Sequence, residues 1–525
     1  MFDILIRNAT IIDGTGADRY TGDLGIQGTR IAAIGQLGDA QAGQQVDANG
    51  MVLAPGFIDV HNHSDGWLLT QPNLSAKTTQ GFTSEVLMSD GISYAPVTRD
   101  TYRDWMYYLR ALNGLALKDY SGWETMEDYR QQLDRKSSQN SLLQIPYANV
   151  RTIACGFGRD RVDDFQARHI KRIITREMEA GAVGLSTGLD YIAQCFSTTD
   201  EIADAASAIA PFGGIYATHI RYKLGNLAGL QEAVEIGRRS GAKVHISHFK
   251  ARTAEEGEIL LKYVDEVARK DVDFSFEVYP YHSGSTMLSY LLPYPVWEDG
   301  PLATLAKLRD PAIRALIREG LEAFRVYLDR GYIAWLPSER NRDFIGKTLQ
   351  DWVDACGLPP EEAIPNLLMD ENLAVLLVFR EGDDALVRPF LQHDLGMIGS
   401  DAIWFPGSQV HPRAYGTASR TLGPAVRDWK WFSLETAVYK LSGYAAERFG
   451  LKDRGVIREN AVADLVLFDA ETISDPATYD DPLQQSIGIP LVIVNGTPVV
   501  QDGQAVDFDT TQPPGRSLRF HRDVE

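Results

Sequence analysis

Cysteine and long apolar runs are both scarce in this sequence of 525 residues. Its three cysteines, Cys155, Cys195 and Cys356, have no CxxC-type spacing. This excludes a thiol-rich zinc site and disfavours a disulfide framework. No apolar run approaches the roughly 20 residues that a membrane helix requires. We therefore expect neither a disulfide-stabilised scaffold nor a membrane-spanning protein.

Positive charge is scarce as well. The sequence has 51 basic and 71 acidic residues, which gives a formal net charge of −20. Such a surface repels phosphate backbones and anionic lipids, so neither nucleic acid nor membrane is expected as a partner. A small anionic substrate would need local positive groups to overcome this charge.

A signal peptide is not expected from the first residues. Residues 1–7 read as a strand and lack the basic, apolar and small-residue zones of a secretory leader. Together with the cysteine content, this predicts a cytoplasmic location. The sequence leaves the oligomeric state open and is compatible with a homo-oligomer.

Both ends of the chain are rich in predicted β-strands. With 44% hydrophobic and 23% charged residues, the chain is long enough for one large catalytic domain and a smaller one. Short β segments with glycine-rich turns predict a small β domain built from residues 1–55 and 451–525. Its predicted strands are Asp3 to Arg7, Gly22 to Gln27, Arg30 to Ile34, Met51 to Leu53, Asp464 to Phe468, Leu491 to Val494 and Pro498 to Gln501.

Residues 56–450 alternate short apolar runs with helical stretches, which predicts a parallel sheet wrapped by helices. Eight strands would close an α/β fold of the (β/α)8 TIM-barrel class, whose active sites lie at the C-terminal strand ends. Helical periodicity is clearest at Leu230 to Arg239 and Glu255 to Arg269. The eight strands are predicted to end near His61, Asp90, Arg151, Ser186, His219, His248, Tyr279 and Asp401.

A long insertion, at about residues 287–394, is predicted between strands seven and eight. Within it, Pro311 to Arg325 has a helical pattern, and the apolar run Leu373 to Phe379 is compatible with a further strand. We expect this insertion to act as a lid.

Histidines at predicted strand ends are the candidate metal ligands. His61 and His63 are two residues apart, so a strand directs both to one side, and imidazole is a good ligand for zinc and similar ions. His219 and His248 end two successive strands and would face this pair. The alternative is that these are ordinary structural histidines, as we expect for His245, which alternation directs away from His248.

Asp401, in Gly399-Ser400-Asp401, follows the last predicted strand. A carboxylate at this place can bind a metal and accept a proton from an attacking water. The alternative is a helix N-cap or turn aspartate.

The order of these motifs resembles that of the amidohydrolase superfamily. The run Val52 to Asp59 precedes the histidine pair, and Thr218-His219, Ser247-His248 and Ser400-Asp401 follow in order. Within the superfamily, the sequence resembles the N-acyl-D-amino-acid deacylases over nearly its whole length. The segments that carry this closer likeness are Tyr279-Pro280-Tyr281, Gly284-Ser285-Thr286, His411 to Thr417, Ala463 to Val466 and Val494-Asn495-Gly496.

This resemblance implies an assignment of roles. One metal position would be formed by His61, His63 and Asp401, and the other by His219 and His248. The expected metal is zinc, as one or two ions. The resemblance also implies that a substrate α-carboxylate is held by Lys250, Tyr279, Ser285 and Arg413. Arginine offers a planar two-pronged donor and lysine a point charge, although both could instead be surface residues.

Two departures from the family pattern are visible. Asp90 stands where the family usually has a metal-binding cysteine. A carboxylate is a harder ligand than a thiolate and can bridge two metal ions. Mn²⁺ or Co²⁺ are therefore alternatives to zinc. Asp90 could also be a simple turn residue before Gly91. After strand three, Cys155 replaces a usual Gly-His, and we expect this cysteine to be structural. Strand four has no lysine at Gly184 to Gly188, which argues against a hydantoinase-type site.

The sequence therefore predicts hydrolysis of N-acyl-D-amino acids, with Asp401 as the base that then protonates the leaving amine. One alternative is an amidohydrolase acting on a dipeptide, a ureido compound or a xenobiotic amide. A second is a non-catalytic scaffold, which should have lost some of these ligands.

Overall fold

Eight parallel strands form the centre of the computed structural model, which describes residues 1–508 and 510–521. Each strand pairs with the next along the chain, except that the third and the fourth are joined through a short intermediate strand. The barrel strands are Phe57–Asp59, Phe82–Leu87, Asn140–Leu143, Gly184–Gly188, Ile215–His219, Lys243–Ile246, Phe274–Val278 and Gly396–Ile398.

Two connections close this sheet into a barrel. The third strand reaches the fourth through the short strand Ile145–Pro146 and through the Val183 amide, which donates to the Leu143 carbonyl at 3.0 Å. The last strand returns to the first where the Asp401 amide donates to the His61 carbonyl at 2.7 Å. The predicted (β/α)8 barrel is confirmed.

The third strand was predicted wrongly. It was expected to end near Arg151, but the residues Tyr147–Cys155 form a helix. The third strand ends at Leu143, and the short strand Ile145–Pro146 leads into this helix, whose N-cap residue is Pro146. The side chain of Arg151 then bonds Glu201 at 2.9 Å and the Gly158 carbonyl at 3.0 Å, contacts that the local apolar pattern did not reveal.

Helices connect and surround the strands. The two predicted stretches correspond to Asn226–Ser240 and to Ala254–Tyr263, which continues through the π-helical turn Val264–Ala268 into Arg269–Asp271. No helix of the described residues is long and apolar enough to cross a membrane. The other α-helices are Trp67–Thr70, Ser75–Thr78, Tyr102–Asn113, Met126–Leu133, Tyr147–Cys155, Asp164–Glu179, Thr199–Ala206, Pro301–Lys307, Pro311–Leu321, Leu349–Cys356, Pro360–Asp370, Arg388–Gln392, Arg413–Leu422, Leu434–Leu441 and Gly443–Arg448.

Shorter helical turns fill many of the loops. A second π-helical turn spans Pro424–Asp428. The 3-10 turns are Ser89–Gly91, Leu117–Asp119, Gln194–Phe196, Ala210–Phe212, Tyr222–Leu224, Leu288–Leu291, Tyr294–Trp297, Glu322–Tyr327, Arg342–Phe344 and Asp384–Val387.

The two ends of the chain meet in one sheet. Val52–Pro55 pairs antiparallel with Leu465–Phe468, and so joins the N-terminal and C-terminal strands. The strand Ala42–Asp47 was not predicted, because most of its side chains are exposed and show no alternation. The domain limits stay predictions. The remaining strands of this sheet are Phe2–Ile11, Tyr20–Gln27, Arg30–Gly35, Leu491–Val494, Thr497–Gln501 and Gln504–Ala505.

An antiparallel sheet lies between barrel strands seven and eight. Its middle strand, Leu376–Phe379, falls within the apolar run noted in the sequence and pairs with Gly284–Met287 and Gly331–Trp335. The helix Pro311–Leu321 lies within the stretch predicted as helical. This pairing brings Ser285 next to the C-terminal ends of the barrel strands.

A buried ionic cluster ties the terminal sheet to the barrel. Asp464 contacts the Arg454 guanidinium and accepts from the Asn140 side chain at 3.1 Å and from the Asn495 amide at 2.7 Å. Asn140 begins the third barrel strand, so the cluster joins both parts of the molecule.

Replacing Asp464 with alanine should destabilise the fold. The substitution leaves the buried Arg454 charge without its carboxylate, which typically costs about 3–5 kcal/mol. We expect a clear fall in the thermal unfolding midpoint by circular dichroism. Arg99→Ala is the control, because that side chain is 94% exposed and lies 3.9 Å from Glu124. A midpoint for Asp464→Ala equal to that of the control would contradict this account.

Candidate metal centre and active site

The two histidines of the first motif face the same point at the barrel mouth. Both are buried, and their Nε2 atoms are directed into the site. Their other ring nitrogens are anchored, His61 Nδ1 at 2.9 Å from Glu277 Oε1 and His63 Nδ1 at 3.2 Å from Asn113 Oδ1. Such anchoring fixes the ring orientation and the tautomer of a metal-binding histidine.

Two carboxylates complete this first group. Asp401 Oδ1 lies 3.7 Å from His61 Nε2 and 3.3 Å from His63 Nε2. The Asp90 oxygens lie 3.6 Å and 3.7 Å from the same two nitrogens. The structure therefore brings together the four residues that the sequence suggested from three separate motifs.

The second pair of histidines lies beside the first group. His219 Nδ1 is 3.1 Å from His248 Nε2, and Asp90 Oδ1 is 3.8 Å from His248 Nε2. Asp90 thus belongs to both clusters of potential ligands, one with His61 and His63 and one with His219 and His248.

These residues fit a divalent cation. Two ligands at about 2.0–2.1 Å from a tetrahedral ion lie about 3.3 Å apart, close to the separations of 3.1–3.8 Å found here. His61 Nε2 and Asp90 Oδ1 are buried and have no hydrogen-bond partner within the described part of the chain. A buried polar atom without a partner is costly, and a cation at this point would satisfy both atoms.

Three of the candidate ligands have a left-handed backbone. The φ angles are 57° at Asp90, 38° at His248 and 48° at Asp401. This conformation is uncommon for residues other than glycine and costs backbone energy, although Asp and His adopt it more readily than most. The side chains are therefore aimed into the site at some cost in backbone energy, which sequence spacing alone does not reveal.

The loop that carries Asp90 is fixed to the fourth strand. Ser186 donates to the Met88 carbonyl at 2.6 Å and accepts from the Gly91 amide at 3.2 Å. A Cβ at Gly91 would lie 2.7 Å from the Thr187 Cα, so only glycine allows this close approach. The glycine after Asp90 is therefore required for the position of the carboxylate.

The electrostatics of the site favour bound positive charge. Burial acts to lower the pKa of His61, yet the surrounding carboxylates, Asp90 foremost, raise it to about 9. Burial and the neighbouring His219 lower the pKa of His248 to about 3, which keeps its lone pair available. Burial alone would raise the pKa of Asp401, but Arg413 and the histidines hold it well below its usual range.

The predicted carboxylate-binding residues form a cationic cluster beside Asp401. Arg413 Nη1 lies 2.8 Å from Asp401 Oδ2, and its guanidinium lies 4.4 Å from the Tyr279 ring centre. Lys250 Nζ donates to the Tyr279 hydroxyl at 2.8 Å. Ser285 contributes its backbone carbonyl to Arg413 at 3.3 Å, whereas its hydroxyl donates to the Leu377 carbonyl.

A cavity of about 430 Å³ connects the ligand clusters with this cationic cluster. The barrel contributes Asp90, His219, His248, Lys250 and Asp401 to its wall, and the insertion contributes Tyr290, Leu291, Tyr327 and Phe379. The space is large enough for a small organic substrate.

Sequence reasoning missed the residues that anchor the ligand histidines. Besides Glu277 and Asn113, they are Asp190, at 3.3 Å from His219 Nε2, and Tyr222, whose hydroxyl is 3.2 Å from His248 Nδ1. Only Glu277 had a visible signal, as the acidic residue of the otherwise apolar strand end Phe276-Glu277-Val278.

Comparison with known proteins agrees with this geometry. A family model described as "Amidohydrolase family" matches residues 391–500. The D-aminoacylase of Alcaligenes xylosoxydans xylosoxydans is 33% identical over 526 aligned positions, which cover 98% of this chain and 97% of that protein. The chain belongs to the amidohydrolase family.

Two further amidohydrolases are similar over nearly the full length. The N-acyl-D-aspartate deacylase of the same organism is 32% identical, and the match covers 98% of this chain and 95% of that protein. The solved N-acyl-D-glutamate deacylase from Bordetella bronchiseptica, in complex with zinc and a phosphonate inhibitor, has a TM-score of 0.82. It is 29% identical, with 99% of each chain covered.

Replacing Asp90 with alanine should lower the metal content. Because Asp90 borders both ligand clusters, its loss should remove at least one equivalent of zinc by elemental analysis after dialysis. His169→Ala, which removes a partly exposed histidine of the helix Asp164–Glu179, should keep the wild-type content. An unchanged metal content in Asp90→Ala would exclude Asp90 as a ligand.

Proposed function

We propose that this amidohydrolase cleaves the amide bond of N-acyl-D-amino acids and releases a carboxylate and a D-amino acid. The observation that supports this most directly is one cavity lined by candidate metal ligands and by Lys250 and Tyr279, with Arg413 packed against Asp401 and Tyr279. A metal held by these ligands can act on the scissile amide, while Lys250, Tyr279 and Arg413 can hold a carboxylate. The relatives named above are deacylases of this class.

The metal would be held by the residues of the two clusters. His61, His63 and Asp401 would form one position and His219 and His248 the other, with Asp90 between them. A divalent cation there supplies Lewis-acid chemistry, since it polarises a carbonyl and acidifies water. Zinc is the first candidate, and the carboxylate of Asp90 also suits Mn²⁺ or Co²⁺.

Asp401 is the proposed proton carrier of the reaction. Its carboxylate accepts a proton from the attacking water and then gives it to the amide nitrogen as the C–N bond breaks, so that a neutral amine leaves. Asp401 is suited to this task because Oδ1 faces the histidines while Oδ2 is held by Arg413 at 2.8 Å. The carboxylate is thus fixed between the metal ligands and the carboxylate-binding group.

Arg413, Lys250 and Tyr279, with Ser285 beside them, would hold the α-carboxylate of the substrate. Buried cations bind a carboxylate strongly because little water competes with them. With the carboxylate and the scissile amide both fixed, the side chain on Cα points in opposite directions in the two enantiomers. The cavity wall on either side of Cα can then admit one enantiomer, which we propose is the D-form.

One observation favours a second candidate function, the hydrolysis of a different kind of amide. The helix Tyr147–Cys155 ends in a cysteine where the deacylase pattern has histidine, and this thiol donates to the Arg151 carbonyl. Any substrate contact made by that histidine is missing here. A dipeptide, a ureido compound or a xenobiotic amide is therefore the alternative substrate class.

We also propose that the enzyme works in the cytoplasm on a small carboxylate-bearing amide, without nucleic acid or membrane as partners. The supporting observations are the net charge of −20 and the free state of all three cysteines. A homo-oligomer is compatible with the sequence.

A panel of N-acetylated amino acids tests the proposed function. We expect turnover of D-enantiomers, little turnover of the L-enantiomers, and a rise in KM of at least tenfold when the α-carboxylate is converted to an amide. Ninhydrin detection of the released amine measures each rate. Metal-loaded enzyme with equal activity on the amides, or activity confined to dipeptides or ureido compounds, would refute the deacylase assignment.

The same panel needs a matched inactive enzyme to exclude contaminating hydrolases. Asp401→Asn keeps the shape and one ligand oxygen but cannot carry the proton, so its kcat should fall by at least about 10²-fold. Elemental analysis should still find bound metal in this variant. Near-normal turnover by Asp401→Asn would exclude Asp401 as the base.

A further inference from the structure

Asp190 holds two different parts of the molecule with one buried carboxylate. It lies two residues beyond the fourth barrel strand and is 4% exposed. Its oxygens accept from His219 Nε2 at 3.3 Å, from the Lys223 amide at 3.2 Å and from the Tyr290 hydroxyl at 3.2 Å. The Tyr294 hydroxyl also donates to it. Neither the sequence motifs nor the proposed mechanism uses this residue.

The contact with His219 sets the orientation and tautomer of the imidazole. A neutral imidazole has one N–H, and a carboxylate beside Nε2 keeps that proton on Nε2. The lone pair of Nδ1 then points towards His248 Nε2, 3.1 Å away, where the second cluster of potential ligands lies. A carboxylate in this relation to a ligand histidine typically strengthens metal binding by 10–100-fold.

The contacts with tyrosine reach the insertion. Tyr290 belongs to the turn Leu288–Leu291 and Tyr294 to the turn Tyr294–Trp297, which follow the first strand of the inserted sheet. Tyr290 also lines the cavity. The carboxylate that orients His219 therefore also holds the beginning of the insertion against the barrel mouth.

The anchors of the first cluster are different. His61 and His63 are oriented by Glu277 and Asn113, which belong to a barrel strand and to the helix Tyr102–Asn113. Within the described residues, those two anchors make no side-chain hydrogen bond to the inserted turns. The insertion therefore bonds an anchor of the His219–His248 position directly, whereas it contacts the helix that carries Asn113 at other residues, Asp104 and Tyr108.

We propose that Asp190 is a positioning residue that couples metal binding at the His219–His248 position to docking of residues 288–297 over the cavity. The proposal rests on the metal centre of the proposed function. It goes beyond that function because it assigns one metal position a dependence on the insertion. A purely structural carboxylate would stabilise the fold without this dependence.

Metal affinity in the absence of substrate provides the first test. Zinc titration against a chromophoric chelator should give two dissociation constants for the wild type. Asp190→Asn should weaken one of them by 10–100-fold and leave the other within about threefold. In a His219→Ala background the same substitution should have no further effect, since its target is already absent.

Two further variants separate orientation of His219 from docking of the insertion. Tyr290→Phe together with Tyr294→Phe removes the insertion's hydrogen bonds but keeps the His219 contact, so it should weaken the same constant by a smaller factor. Asp475→Asn is the matched control. That carboxylate also accepts from a tyrosine, Tyr281 at 2.9 Å, but contacts no candidate ligand, and both constants should stay unchanged.

Hydrogen exchange gives a readout of the coupling itself. Zinc at the second position should slow amide exchange in residues 288–297 of the wild type and of Asp475→Asn. It should not do so in Asp190→Asn or in the double tyrosine variant. The double variant also keeps the proposal testable if Asp190→Asn does not fold.

Several results would overturn the proposal. One is that Asp190→Asn keeps the wild-type zinc dissociation constants, and another is that Asp190→Asn weakens zinc binding equally with and without His219. A third is that zinc still slows amide exchange in residues 288–297 of the double tyrosine variant. A fourth is that the wild type binds only one equivalent of zinc and that His219→Ala does not change its affinity. All are measured without substrate. A failed substrate panel would therefore refute the deacylase assignment and leave this test intact.

Discussion

Burial of several carboxylates at one end of the barrel is the constraint on which the rest of the structure depends. Asp90 and Asp401 lie within 3.8 Å of the ligand histidines and are almost inaccessible to solvent. Uncompensated buried charges cost several kcal/mol each. Arg413 offsets part of this cost at Asp401, and cations between the histidines would offset the rest. The need for bound metal therefore follows from the distribution of charge as much as from the identity of the ligands.

Different parts of the fold have different roles around these buried carboxylates. Barrel strand ends supply the candidate ligands, and Asp90, His248 and Asp401 have a left-handed backbone that directs their side chains inward. The insertion covers the cavity and provides Tyr290 and Tyr294 to the carboxylate of Asp190. The terminal sheet contacts the barrel through a separate buried ionic cluster, away from the chemistry. Function and stability thus rest on different sets of charged residues.

The candidate ligands could be named from the sequence because strand alternation and strand ends are local properties. His61, His63, His219 and His248 each follow a short apolar run, and the structure brings them together. The third strand was misplaced because the buried helix after Pro146 is as apolar as a strand. The anchors Asn113 and Asp190 were missed because their roles arise only from packing between distant segments. Asp90 could be placed as a ligand only through the family resemblance.

The most direct test of the central claim is anomalous diffraction from crystals grown with zinc. The account predicts two peaks, one beside His61, His63 and Asp401 and one beside His219 and His248, with the Asp90 carboxylate within coordination distance of both. A partly occupied second peak that still contacts Asp90 would agree with this arrangement. Zinc bound without any contact to Asp90, or no peak at the barrel mouth, would contradict it.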